Sequence, residues 1–104
     1  MRLLDAVTTG TGTARDISDL CSPLSVYVFW TAGVTAGQVV LETAHEQGYT
    51  GTWSPLGVFN ANAGCVDYLP LMGPYGAIRG RVTTTVAGTS PAVSMEFLEG
   101  GRFA

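Results

Sequence analysis

The sequence predicts an all-β domain, an antiparallel sandwich or barrel, on three observations. Turn signals rich in Gly, Pro, Thr and Asn recur roughly every 8 to 12 residues. Between them lie runs of β-branched and aromatic residues whose side chains alternate between two faces. No segment holds a helical period far enough to define a helix. The one contender, VVLETAHEQ, would align Val40, Thr43, Ala44 and Gln47, but β-branched residues lead it and strands flank it, so it reads as a strand.

In chain order, Met1 to Val7 predicts a first strand or an arm, with Leu3, Leu4, Ala6 and Val7 around Asp5. TTGTGTARDISDL is a turn between extended pieces, the second containing Ala14 to Ile17. Leu24 to Trp30, LSVYVFW, is the strongest strand; both of its faces are apolar, which predicts a central strand covered on both sides. TAGVTAG reads as a flexible connection and QVVLETAHE as the next strand. In TWSPLGVFNA, Pro55 and Gly57 demote the strand to an edge or a bulge, with Trp53 as a core anchor at its start. CVDYLPLM is extended and broken at Pro70, and Asp67 within it reads as an outward-facing position. The stretch GPYGAIRGRVTTTV follows a Gly-Pro turn. It places Ile78, Gly80, Val82, Thr84 and Val86 on one face and Ala77, Arg79, Arg81, Thr83 and Thr85 on the other. Ala92 to Leu98 alternates Val93, Met95 and Phe97 against Ser94, Glu96 and Leu98.

The chain has 104 residues, enough for one domain with a single core. Its hydrophobic share of 46% argues against disorder. Charged residues make up only 12%, and none is lysine. Such a surface fits either cover by other subunits or a Thr- and Gly-rich domain kept soluble by hydroxyls. A net charge of −3 with five scattered arginines speaks against nucleic acid as a partner. No apolar run reaches the length of a membrane span, and MRLLDAVTTG lacks a signal-peptide core, so the expectation is a soluble protein made in the cytoplasm and without a membrane partner. Cys21 and Cys65 lack zinc-ligand spacing and read as small buried apolar residues, a disulfide between them being the alternative.

Chemistry is sparse. His45 is the single histidine, so any Ser-His or Cys-His site would have to use it, and Glu42 and Glu46 beside it form no motif. Asp16 with Asp19 and Glu42 with Glu46 are the carboxylate pairs, each in polar sequence that predicts solvated side chains. Gly10 and Gly12 match no phosphate-binding pattern. Of the aromatic residues a sugar could use, Trp30, Tyr49, Trp53 and Tyr75, most read as core or loop-packing residues. No catalytic, cofactor-binding or metal-ligating residue is therefore assigned.

LLDAVTTGTGTARDIS, GYTGTWSPLG and GPYGAIRGRVTTTVAGT, taken together, resemble a group of small virion proteins of tailed bacteriophages. The resemblance rests on Gly51, Thr52, Trp53, Pro55, Leu56 and Gly57, and on Gly73, Pro74, Tyr75, Ile78, Arg79, Arg81 and Val82, and it covers most of the chain. It implies a jelly-roll-like β-sandwich with Trp53 and Ile78 in the core, without enzyme activity or cofactor. Because the chain holds this module and little else, the implied role is capsid decoration: binding the major capsid protein on the outside of the shell and stabilising it, as an oligomer such as a trimer. The alternatives are a tail or head-tail connector component, or a small carbohydrate-binding domain. Candidate contact residues are Met1, Arg2 and Leu3 in one arm-like terminus, Arg102 and Phe103 in the other, and Arg79 and Arg81, whose carboxylate partners lie within the domain or on a neighbour.

Overall fold

A computed structural model describes residues 2–17, 24–71 and 75–99. Met1, Arg102, Phe103 and Cys21 lie outside them, as do Asp19 and the Gly73-Pro74 turn. The described chain forms eight strands: β1 (Arg2–Val7), β2 (Arg15–Asp16), β3 (Leu24–Trp30), β4 (Val34–Ala44), β5 (Ser54–Asn60), β6 (Val66–Leu71), β7 (Ala77–Gly88) and β8 (Val93–Glu99).

They form two four-stranded antiparallel sheets in the orders β1-β8-β3-β6 and β2-β7-β4-β5. Within these sheets β1 pairs with β8, β2 with β7, β3 with β6 and β4 with β5. That is one long hairpin, turning between β4 and β5, rolled up so that successive strand pairs fall alternately in one sheet and the other. The chain therefore folds as a jelly-roll β-sandwich, the architecture that two interlocked Greek keys produce.

The alternating patterns place the core. In β3 burial alternates strictly: Leu24, Val26, Val28 and Trp30 point inward, and Ser25, Tyr27 and Phe29 outward. Val39 and Leu41 of β4, Ile78 and Val86 of β7, and Val93, Met95 and Phe97 of β8 meet them between the sheets. Gly80 belongs to the same face of β7; a side chain there would begin 2.9 Å from both Leu4 Cγ and Met95 Sδ. Its lack of a side chain lets β7 approach β1 and β8.

Pro55 and Gly57 act as their chemistry predicts: β5 is an edge strand, and its register against β4 shifts between Leu41–Gly57 and Glu42–Pro55. Several expectations are corrected. The first residues are no arm: from Arg2 onward they pair with β8, and Leu3, 3% exposed, packs in the core rather than facing a neighbour. β3 is central in its sheet, yet only its inner face is covered, because a two-layer sandwich leaves each sheet one outer face. TAGVTAG is mostly strand, since β4 already starts at Val34 and absorbs Gly37, at φ 147°, through irregular register. β6 runs through Pro70, which an edge strand tolerates. Cys65 is an exposed free thiol in the turn before β6.

Candidate functional site

The outer face of β2-β7-β4-β5 carries the most tightly bonded polar group. Glu42 stands directly opposite Arg79 in the β4–β7 register and diagonally across from Arg81. Arg79 Nε donates to Glu42 Oε1 at 2.9 Å, while Arg81 Nε and Nη2 donate to Oε2 at 3.1 and 2.9 Å. The Glu42 side chain is 5% exposed, against 25% for Arg79 and 42% for Arg81. The Arg79 guanidinium also lies 4.4 Å from the Trp53 ring centre, and the Trp53 indole donates to the Tyr49 carbonyl.

Burial pushes the Glu42 carboxyl up, but the hydrogen bonds and charges of Arg81 and Arg79 together outweigh it and hold the carboxyl below its ordinary value of 4.5. The same contact raises Arg81. A carboxylate whose folded pKa lies below its unfolded one stabilises fully above the unfolded value and loses that contribution as pH falls through the folded value. Wild type is therefore expected to lose stability faster than Glu42→Gln as pH falls below the ordinary value of 4.5, read from urea midpoints. Parallel curves for the two proteins would remove the carboxylate from the account.

Glu42 is thus no solvated member of a carboxylate pair, because two cross-strand arginines satisfy both of its oxygens. Trp53 is buried but stands outside the main core cluster, under Arg79, since the edge position of β5 lets the preceding residues fold over the sheet's outer face. Arg79 and Arg81 find their carboxylate within the domain. His45 is exposed and contacts Glu46 and the Tyr49 ring. Asp67 faces the rim of the sandwich rather than solvent; it accepts the Trp30 indole at 3.1 Å and the Asn62 amide at 3.4 Å. Among the described residues no group of three or more His, Cys, Asp or Glu side chains is placed to hold a metal ion.

The outer face of the other sheet is different in kind. Tyr27 lies between Tyr68 and Glu96, with Arg2 beyond Glu96; the neighbouring rows are Ser94, Phe29 and Val66, and Leu98, Ser25 and Pro70. Tyr27 and Tyr68 stand 5.1 Å apart between ring centres, and Tyr27 and Phe29 are stacked at 6.5 Å. Val66, Tyr68 and Leu98 are 55%, 53% and 46% exposed, which makes this an aromatic and aliphatic strip open to solvent. Arg2 borders it, 5.7 Å from the Phe29 ring centre and 3.9 Å from Glu96. Alternation in β3 alone could have flagged Tyr27 and Phe29, while Tyr68 joins them only through the β3–β6 register.

Fold and faces together define a jelly-roll sandwich with one outer face locked by an ion-pair cluster and the other presenting an aromatic strip. No protein-family model, curated protein or solved structure matches the chain.

Proposed function

We propose that the protein is a non-enzymatic virion component of a tailed bacteriophage, a decoration protein that binds the major capsid protein on the outer surface of the shell and stabilises it as an oligomer. The observation that carries this reading is the open strip of Tyr27, Phe29, Val66, Tyr68 and Leu98 on the β1-β8-β3-β6 face. Contiguous, aromatic, poor in charge and exposed at Val66, Tyr68 and Leu98 with Tyr27 and Phe29 half-buried between them, it has the composition of an interface core, with Arg2 and Glu96 as a polar rim. The low charge of the whole chain and the resemblance of its motifs to those of virion proteins support the same reading. Many copies, each burying a modest area, stabilise a closed shell through multivalency.

Shells stripped of the protein are the test. Purified protein is expected to co-sediment with them and raise their melting temperature. Tyr68→Glu, at a half-exposed position that leaves the core intact, should weaken binding about tenfold or more. Failure of the wild-type protein to bind, with shell melting unchanged, contradicts the proposal. The Tyr27–Tyr68 pair also favours a second reading, a glycan-stacking face, which signal on a glycan array would support instead. A tail or connector position would appear as a copy number far below that of the major capsid protein.

A further inference from the structure

The open side of the sandwich, where β1 and β2 are the sheet edges, holds a groove of about 320 Å³. Its lining includes Arg2, Leu4, Thr9, Thr11, Thr13 and Arg15. Backbone bonds from Thr8, Gly10 and Gly12 to β7 form one wall. β1 forms the other, and the two touch at Gly12, where a side chain would collide with the Leu3 carbonyl. Thr11 stands opposite Arg81, and Arg15 opposite Ile78, so five residues of this segment, Thr11 to Arg15, stand against four of β7. That irregularity turns Arg15 to the side of the core residue Ile78, into the opening between the sheets.

Arg15 Nε is buried there and meets no acceptor among the described residues. A buried, charged donor without a partner is costly, so one in a native fold calls for an acceptor from outside. Arg2, the other cation of the groove, is already shared between Asp5 at 4.0 Å and Glu96 at 3.9 Å. The unpartnered Nε, together with the Nη on the same side, has the geometry of the side-on fork that receives both oxygens of a carboxylate.

The geometry points to a carboxylate-binding site in this groove, with Arg15 as its anchor and the threonine-lined wall as its polar rim. Charge selects the class: two arginines and Asp5 leave the lining with one net positive charge, which matches a monoanion, whereas a phosphate dianion would meet Asp5 and a chain of net charge −3. The site does not rest on the decoration reading, since its anchor Arg15 lies on the open edge, and only Arg2 borders both the groove and the aromatic face. Its ligand is a small free carboxylate or the carboxylate of an acidic polypeptide.

Nitrogen-edited NMR of the arginine Nε–H signals tests it on the whole protein, with Arg15 assigned by the signal lost in Arg15→Lys. Titration with acetate and with a blocked Gly-Glu-Gly peptide is expected to move the Arg15 signal saturably, and phosphate and chloride at equal ionic strength to move it little. Tighter binding of the peptide identifies a polypeptide source, and equal binding a small carboxylate. Arg15→Gln should weaken binding about tenfold or more, followed through the backbone amides, which also report whether the variant is folded. Asp5→Asn, at a side chain 81% exposed and harmless to the fold, should strengthen binding a few-fold by removing a competing charge. An Arg15 signal that ignores carboxylates, or follows chloride equally, overturns the site, as does an Asp5→Asn variant that binds acetate no better than wild type.

Discussion

Replacing Arg79 and Arg81 together by alanine is expected to destabilise the domain by about 3–5 kcal/mol, more than half of what many small domains possess. The reason is an asymmetry of burial. The Glu42 carboxylate, 5% exposed beneath the two guanidiniums, loses the donors to both of its oxygens, and alanine supplies nothing in their place to offset its desolvation. The opposite deletion, Glu42→Ala, should cost less, about 1–3 kcal/mol, because the freed guanidiniums are 25% and 42% exposed and can turn to solvent. Arg79→Ala should exceed Arg81→Ala, since it also removes the stack on Trp53. Urea unfolding of the four variants checks the order, and a double-mutant cycle isolates the coupling of each arginine to Glu42. If the double arginine variant were as stable as wild type, the cluster would be surface decoration without structural weight.

Leu41→Ala is the second large effect, with an expected loss of about 2–5 kcal/mol. Leu41 is among the largest fully buried side chains and lies on β4, an inner strand that bonds both β7 and β5. Its truncation leaves a cavity between two hydrogen-bonded sheets that cannot collapse without breaking their ladders. Val40, one residue away on the outer face, provides the contrast: Val40→Ala leaves the inter-sheet core untouched and should cost clearly less. Equal losses would mean that the sandwich core is not where the alternation of β4 places it.

The strands were legible because their residues advertise a period of two. In β3 the alternation in LSVYVFW fixes which side chains enter the core, and in β7 Ile78 and Val86 separate from Arg79 and Arg81 as the pattern requires. What lay beyond the sequence is non-local. Glu42 and its arginine partners are 37 and 39 positions apart, and nothing local to Glu42 distinguishes it from the solvated Glu46. Only the β4–β7 register sets it between two guanidiniums. Trp53 had the burial a tryptophan predicts but in the other layer, because a sequence gives hydrophobicity and not the side of the sheet. Tyr68 became part of an aromatic strip only once β6 paired with β3, and Arg15 turned toward the groove through an irregularity that no spacing rule announces. The choice between strand and arm for the first residues stayed open for a related reason: a six-residue strand with a charge in its middle looks free until its partner, some ninety residues later, is known.

The most direct measurement is hydroxyl-radical footprinting of the protein free and bound to stripped shells. The two outer faces carry their own reporters, Tyr68 and Leu98 on the aromatic strip and Val58 beside the Glu42 cluster, all exposed in the isolated domain. Docking through the strip predicts that Tyr68 and Leu98 lose their labelling on binding while Val58 keeps its own. Protection of Val58 with Tyr68 and Leu98 still fully labelled would contradict it.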